Sequence, residues 1–172
     1  MSMNRVPDLA TRLRDIGLFG GLQDEALREL ASTLEVLDLQ PGHTVFREGE
    51  SGRDMFVLLD GEMEVLKRSK RNLEARVAIL GPNDWFGEMS ILDVMPRSAT
   101  MLTIAPSRVL RITAQDLDTL YRRDMKSYAL LVLNIAREMS RRLRVADGLI
   151  AEFMANMLDE YMRPRAPQSQ RL

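Results

Sequence analysis

Glu88 and Arg97 stand nine residues apart in the segment FGEMSILDVMPRSAT, residues 86–100, with few other polar groups between them. A carboxylate and a guanidinium at this spacing have two interpretations. They either face each other as a structural ion pair, or they hold a ligand between them. The residues around them decide which chemistry a shared ligand would need.

The turn residues of this segment favour a bound anion. Gly87 lets the backbone approach a ligand closely or permits a turn. Residues 88–93 are long enough for one or two helical turns, and the free N–H groups at such a helix start attract an anion. The residue before Pro96 favours extended backbone, so the chain leaves this helix and can bring Arg97 back toward its start.

An arginine and a helix start that converge suit one phosphate, because they offer fixed donors and a permanent positive charge. An ionised Glu88 beside that phosphate would repel it unless the carboxylate has another role. Accepting a hydrogen bond from a sugar hydroxyl is such a role. The segment therefore predicts a small ligand with one phosphate charge and a free ribose hydroxyl.

Composition excludes several other kinds of site. The 172 residues include 24 basic and 25 acidic side chains, so no net charge draws the chain toward nucleic acid or anionic lipid. The absence of cysteine excludes disulfides and thiolate metal sites, and a single histidine, His43, cannot supply the several ligands of a cupin-type metalloenzyme. Without an 18-residue apolar run or a signal peptide, we expect a cytoplasmic, metal-free protein that is not an enzyme.

The pattern along the chain predicts helices, then short strands, then helices. Apolar residues recur at helical spacing within residues 1–33. Residues 34–112 contain short β-type runs separated by glycines, which is typical of an antiparallel sandwich or roll. Asp60-Gly61 suits a type I′ hairpin turn between two of these runs. Thr113 is predicted to cap a helix in a capping box with Asp116.

Residues 125–162 contain no proline and one glycine, and they predict a helix of about 57 Å. Along this helix the spacing between successive apolar residues alternates between three and four, as in a two-stranded coiled coil. These residues are Ala136, Met139, Leu143, Ala146, Ile150, Phe153 and Met157. The alternative is that this stripe packs on the roll of its own chain. We expect a homodimer through this helix, and a disordered tail over residues 163–172.

FGEM-S followed by PRSAT resembles the phosphate-binding cassette of the cyclic nucleotide-binding domain family, and the resemblance extends over about residues 15–145. GLFGGLQDEALRELA resembles the family's N-terminal helix, PGHTVFREGESGRDMFVLLDGEMEV its central hairpins, and RITAQDLDTL the helix after its last strand. The resemblance implies an α+β fold: an antiparallel, jelly-roll-like β-roll of about eight strands, residues 34–112, between N-terminal helices, residues 1–33, and C-terminal helices, residues 113–162.

The resemblance also implies the site. Glu88 would accept from the ribose 2′-hydroxyl, and Arg97 would pair with the cyclic phosphate, aided by the Gly87 and Glu88 N–H groups and the Ser98 hydroxyl. The implied ligand-binding residues are Phe86, Gly87, Glu88, Met89, Ser90, Arg97, Ser98 and Ala99. A plain Glu88–Arg97 ion pair beside an empty pocket is the alternative.

The identity of the base is less constrained than that of the phosphate. In the family, threonine after the cassette arginine accompanies cGMP and alanine accompanies cAMP, and the R-S-A pattern around Ser98 favours cAMP. The long helix carries Arg142, Ala146 and Asp147 as candidate base contacts, but Ala146 and Asp147 replace the family's adenine-binding Thr-Ser pair. Asp147 could accept from a guanine edge, so cGMP and cyclic di-GMP stay open as ligands.

The resemblance predicts a sensor whose ligand shifts the long helix. In the family's transcription activators a DNA-binding domain follows this helix, whereas only about ten residues follow Met162 here. We therefore expect no DNA binding by this chain alone, no membrane association, and an output through a protein partner or dimer geometry. A ligand-independent dimeric interaction module is the alternative.

Overall fold

The computed structural model describes residues 5–162 of the chain. These residues fall into two compact units, which divide between Ile135 and Ala136. The predicted disordered tail, residues 163–172, lies outside the described residues. The division into parts at residues 33, 112 and 162 stays a prediction.

The first unit begins with helix α1 and a 3₁₀ turn, and helix α2 leads into eight strands. The helical elements are α1 (Arg5–Arg14), the 3₁₀ turn (Gly17–Phe19), α2 (Asp24–Thr33), α3 (Met89–Leu92), α4 (Ala114–Arg123) and α5 (Met125–Met162). The strands are β1 (Glu35–Leu39), β2 (Thr44–Phe46), β3 (Asp54–Asp60), β4 (Met63–Arg68), β5 (Glu74–Leu80), β6 (Trp85–Phe86), β7 (Thr100–Thr103) and β8 (Ser107–Thr113). The α+β prediction with about eight strands is confirmed.

The strands form two antiparallel four-stranded sheets, in the orders β1-β8-β3-β6 and β2-β7-β4-β5. A cluster of buried side chains from both sheets forms the roll's core: Phe46, Phe56, Leu58, Met63, Phe86, Met101 and Val109. Three of its rings, those of Phe46, Phe56 and Phe86, lie within 6.2 Å of one another between centroids. β6 is an edge strand of the first sheet, but its Phe86, the first residue of the predicted site, belongs to this core.

The predicted hairpin at Asp60-Gly61 is wrong. β3 ends at Asp60 and β4 begins at Met63, but the two strands lie in different sheets. Gly61 has φ +96°, and a Cβ there would lie 2.3 Å from the Ser107 hydroxyl and 2.5 Å from the Pro106 carbonyl. The glycine therefore lets the chain pass from one sheet to the other against the start of β8, a need that the local sequence does not distinguish from a hairpin turn.

Helix ends follow the sequence closely. The Asp116 N–H donates to Thr113 Oγ1 at 3.1 Å, and the Thr113 N–H donates to an Asp116 carboxylate oxygen at 2.8 Å, so the predicted capping box is confirmed. Helix α5 is the predicted 38-residue helix. It begins in the first unit and continues as the second unit, where its exposed apolar side chains include Leu143, Ile150, Phe153 and Met157. Within residues 5–162, no helix is long and apolar enough to span a membrane.

Candidate functional site

The segment with the predicted site connects β6 of one sheet to β7 of the other. Phe86 pairs with Phe56 of β3, which fixes the start of the segment in the buried core. The predicted helix is α3, a single turn that begins after Glu88. The chain leaves it before Pro96, as predicted, through Val94, which has φ +57°.

Gly87 is required at its position for two reasons. Its φ of +83° lies in the region that favours glycine. A Cβ there would also lie 2.7 Å from Arg97 Nη1 and 3.1 Å from the Asp54 carbonyl oxygen. The Gly87 carbonyl itself accepts a hydrogen bond from Arg97 Nη1 at 3.1 Å. The structure therefore brings together Gly87 and Arg97, as the sequence predicts.

Arg97 is an interior residue with only 4% of its surface exposed. Its Nη1 donates to the Asp54 carbonyl at 2.6 Å, and its Nη2 pairs with the Asp54 carboxylate. Its Cζ lies 4.0 Å from the centroid of the Phe46 ring, in cation–π geometry. Gly52 also packs closely against the guanidinium, because a Cβ at this position would lie 2.3 Å from Arg97 Nε. The guanidinium is thus held in a fixed orientation.

The Nε of Arg97 is buried and has no hydrogen-bond partner among the described residues. A guanidinium offers five N–H donors, so a buried site that leaves one unused carries a cost.

Asp54 is a partner of Arg97 that the sequence interpretation missed. Its carboxylate also accepts from Arg111 at 2.7 and 2.8 Å, and Arg111 reaches Glu35 at 3.3 Å. The hydrogen bond to Asp54 raises the pKa of Arg111, against the lowering effect of burial, and Glu35 adds to the rise. One carboxylate is therefore shared by two guanidiniums, so its charge does not neutralise Arg97 alone. No local signal marks Asp54, which lies 43 residues before Arg97.

Glu88 and Ser90 are both buried although they are polar, with 5% and 3% of their surfaces exposed. The Glu88 carbonyl accepts the first hydrogen bonds of α3, from the N–H groups of Ile91 and Leu92 at 3.1 Å. A carboxylate is seldom so deeply buried, because desolvation disfavours the charge. A buried carboxylate next to a left-handed glycine is an arrangement suited to binding a polar ligand group.

Ser98 and Ala99 follow Arg97 in a loop that leads into β7. The Ser98 side chain is exposed and its Oγ lies 3.6 Å from the sulfur of Met89, so these two predicted residues are neighbours. The Ser98 carbonyl accepts from Lys67 Nζ of β4 at 2.5 Å. Lys67 is a second neighbour of the segment that the sequence interpretation missed.

A cavity of about 380 Å³ lies between the loop before β3 and the loop before Arg97. It is lined by Ser51, Gly52, Arg53, Val94, Met95 and Pro96. Its size falls within the range of small-ligand pockets. The cavity borders Gly52, the residue that packs against Arg97, but its lining does not include the predicted ligand-binding residues.

The candidate base contacts Arg142, Ala146 and Asp147 belong to the second unit, on α5. Arg142 Nε donates to Glu138 at 3.3 Å along the helix. Their role stays a prediction. Within the described residues, no group of three or more histidine, aspartate or glutamate side chains could hold a metal ion.

Comparison with known proteins gives consistent matches. The chain is 32% identical over 138 residues to the "CRP-like cAMP-activated global transcriptional regulator" of Mycobacterium tuberculosis, covering 80% of this chain and 60% of that protein. It is 33% identical over 131 residues to the "Cyclic AMP receptor protein" of Thermus thermophilus, covering 76% and 58% respectively. The chain thus spans about three fifths of the length of these curated relatives.

Comparison of the fold with solved structures finds the same kind of protein. The crystal structure of the Thermus thermophilus catabolite activator protein superposes with a TM-score of 0.70 at 29% identity, over 81% of this chain and 63% of that one. The model of the family described as "Cyclic nucleotide-binding domain" matches residues 36–124, which is just over half of the chain and includes the whole segment from Phe86 to Ala99. This chain therefore belongs to the cyclic nucleotide-binding domain family.

Proposed function

We propose that this chain is a non-enzymatic sensor that binds a cyclic nucleotide, with cAMP as the first candidate, through the segment from Phe86 to Ala99. The observation that carries the proposal is the packing of Arg97, whose buried guanidinium lies between Gly52, Gly87 and the Phe46 ring. The Nε of Arg97 has no hydrogen-bond partner among the described residues, so the guanidinium keeps one donor for a phosphate oxygen. Glu88 would accept from the ribose 2′-hydroxyl.

The relatives support cAMP as the ligand. Two of them carry cAMP or cyclic AMP in their names, and a neighbouring structure at 20% identity is described as a complex with cAMP. Ser98 after Arg97 is compatible with this choice. The replacement of the adenine-binding pair by Ala146 and Asp147 keeps cGMP and cyclic di-GMP as alternatives that the same experiment must include.

The test is isothermal titration calorimetry of the chain with cAMP, cGMP and cyclic di-GMP. We expect cAMP to bind most tightly, and Arg97→Lys to weaken binding at least tenfold, since lysine keeps the charge but loses the planar fork. Glu88→Gln should weaken cAMP binding more than it weakens 2′-deoxy-cAMP binding, because the deoxy ligand lacks the hydroxyl that the carboxylate accepts from. Equal losses for the two ligands would contradict the role of Glu88.

A second candidate function has its own supporting observation. Arg97 already has a structural role without ligand, because the three hydrogen bonds from its Nη1 and Nη2 to Asp54 and Gly87 stabilise the fold. That arrangement is also what a ligand-independent interaction module would retain. The melting temperature with each nucleotide at millimolar concentration separates the two: a rise supports the sensor, and no rise for any nucleotide supports the module.

We also propose that the second unit forms a homodimer. Leu143, Ile150, Phe153 and Met157 recur at coiled-coil spacing, and each is more than half exposed in the single chain. Sedimentation should give a dimer for the wild type and a monomer for Ile150→Asp. Ala151→Asp, which adds the same charge beside the stripe on the same helix, is the matched control and should stay dimeric.

The sensor proposal includes a coupling between ligand and α5. Ligand binding can shift this helix only if the ligand has different affinities for two arrangements of the chain. The coupling is reciprocal: if the nucleotide changes the dimerisation affinity, then dimerisation changes the nucleotide affinity. A variant that cannot dimerise must therefore bind the nucleotide with a different affinity from the wild type. Equal affinities in the wild type and Ile150→Asp would exclude coupling through the dimer. The cytoplasmic location and the protein partner stay parts of this proposal.

A further inference from the structure

Lys67 of β4 makes an unusual contact for a surface lysine, because it reaches the backbone of the ligand-binding segment. Its Nζ lies 2.5 Å from the Ser98 carbonyl oxygen and 3.7 Å from a carboxylate oxygen of Glu48. Neither contact could be inferred from sequence spacing, since Ser98 lies 31 residues after Lys67. The pair therefore joins β4 to the loop that carries Arg97.

Glu48 is itself fixed by one hydrogen bond to its carboxylate and one from its backbone N–H. Its other carboxylate oxygen accepts from the Arg68 N–H at 2.8 Å, and its own N–H donates to Thr100 Oγ1 at 3.0 Å. It is thus anchored to β4 next to Lys67 and to the first residue of β7. The position of the Lys67 ammonium is therefore constrained by more than its flexible stem.

The peptide geometry of residues 97–99 shows what this contact achieves. The Gly49 N–H donates to the Arg97 carbonyl at 2.9 Å, and Lys67 donates to the Ser98 carbonyl. All described peptide bonds are trans, so the N–H of each peptide unit points away from its own carbonyl. Holding the Arg97 carbonyl aims the Ser98 N–H, and holding the Ser98 carbonyl aims the Ala99 N–H.

We infer that Lys67 is a positioning residue that orients the Ser98–Ala99 peptide for an anionic ligand before the ligand arrives. This inference rests on the proposed function, in which Ser98 and Ala99 are ligand-binding residues. A donor that is already oriented costs less to order on binding, so it increases affinity for the cyclic phosphate. Lys67 would act through the backbone, whereas Arg97 would contact the phosphate itself.

The exposure of Lys67 separates this role from a structural one. Its side chain is 52% exposed, so its ion pair with Glu48 contributes little to stability. Removing the ammonium should therefore leave the melting temperature nearly unchanged while it alters the orientation of the Ala99 N–H and weakens ligand binding. If Lys67 had only a structural role, its removal would change the Ala99 N–H orientation and the ligand affinity only together with the melting temperature.

The test uses the full chain and the variants Lys67→Met and Lys67→Arg. Lys70→Met, which removes an exposed lysine from the tip of the same β4–β5 hairpin, is the matched control. In calorimetry with cAMP at several salt concentrations, we expect Lys67→Met to weaken binding about tenfold with the wild-type salt dependence. Lys67→Arg should restore most of the affinity, and Lys70→Met should match the wild type.

Amide NMR of the ligand-free protein provides the second readout. Lys67→Met should shift the Ala99 amide resonance and speed its hydrogen exchange, and Lys70→Met should do neither. Wild-type affinity together with an unchanged Ala99 amide in Lys67→Met would overturn the inference. Weaker binding with a flatter salt dependence would also overturn it, because that result indicates direct contact between the ammonium and the phosphate. If the wild type binds none of the cyclic nucleotides, the proposed function fails, and the Ala99 amide alone decides whether Lys67 orients this peptide.

Discussion

Gly52→Ala is a small perturbation of the packing around the Arg97 guanidinium. The added methyl group would lie 2.3 Å from Arg97 Nε, 2.4 Å from Cζ and 2.5 Å from Nη2. Ordinary contact begins at 3.4 Å, so the guanidinium must retreat by about 1 Å. Gly52 does not have a positive φ, so alanine introduces no backbone strain and the steric conflict is the main effect.

The magnitude follows from the bonds that this retreat would stretch. A displacement of about 1 Å moves the guanidinium out of its hydrogen-bonding position against the Asp54 carbonyl, now at 2.6 Å, and the Gly87 carbonyl, now at 3.1 Å. Hydrogen bonds to charged groups contribute roughly 1.5–3 kcal/mol each. Allowing for partial rearrangement, we expect Gly52→Ala to lower the free energy of unfolding by about 3 kcal/mol.

Urea denaturation measures this change, with the fluorescence of Trp85, the only tryptophan, as the signal. Gly81→Ala is the matched control, because a Cβ at Gly81 would meet nothing within 4 Å. It should stay within about 0.5 kcal/mol of the wild type. Calorimetry should show about 100-fold weaker nucleotide binding by Gly52→Ala if Arg97 holds the phosphate. Equal stability of the two alanine variants would refute the close packing between Gly52 and Arg97.

Three further predictions concern single positions. Val94 is 68% exposed and has φ +57°, so Val94→Gly should stabilise the fold by about 1 kcal/mol in urea denaturation. The control Val77→Gly, in β5, should destabilise the fold. A loss of stability in both variants would show that Val94 is unstrained. Asp124 accepts from the Ser127 hydroxyl and N–H at the start of α5, which lowers its pKa, so its stabilisation is present above about pH 4 and is lost as pH falls through the lowered pKa. Asp124→Ala should cost about 1 kcal/mol at pH 7 and less as the pH falls through the lowered pKa, and a constant difference between acid and neutral melts would contradict this assignment. Gly148→Ala should raise the thermal stability of α5 in circular dichroism by about 1 kcal/mol, since a Cβ there meets nothing within 4 Å; a decrease would place Gly148 in a close contact between helices.

Local sequence was sufficient wherever the interacting groups are near neighbours along the chain. The capping box needs only Thr113 and Asp116, and the 38-residue α5 follows from helical spacing without proline. Gly87 and Pro96 favour turns within the segment from Phe86 to Ala99, so the close approach of Gly87 and Arg97 was also predictable. The family follows from the same short motif and its order after the roll.

Tertiary structure decided which distant groups meet these local elements. The sequence interpretation posed Glu88 as the possible ion-pair partner of Arg97, but the carboxylate that pairs with Arg97 is Asp54, at the start of β3. The contact between Lys67 and Ser98 likewise depends on the pairing of β4 with β7, and Asp60-Gly61 joins two sheets where a hairpin was expected. Helix caps and turns depend on interactions within about four residues, which a sequence displays directly. Strand partners depend on how both sheets bury their apolar faces together, and that packing is a property of the whole chain.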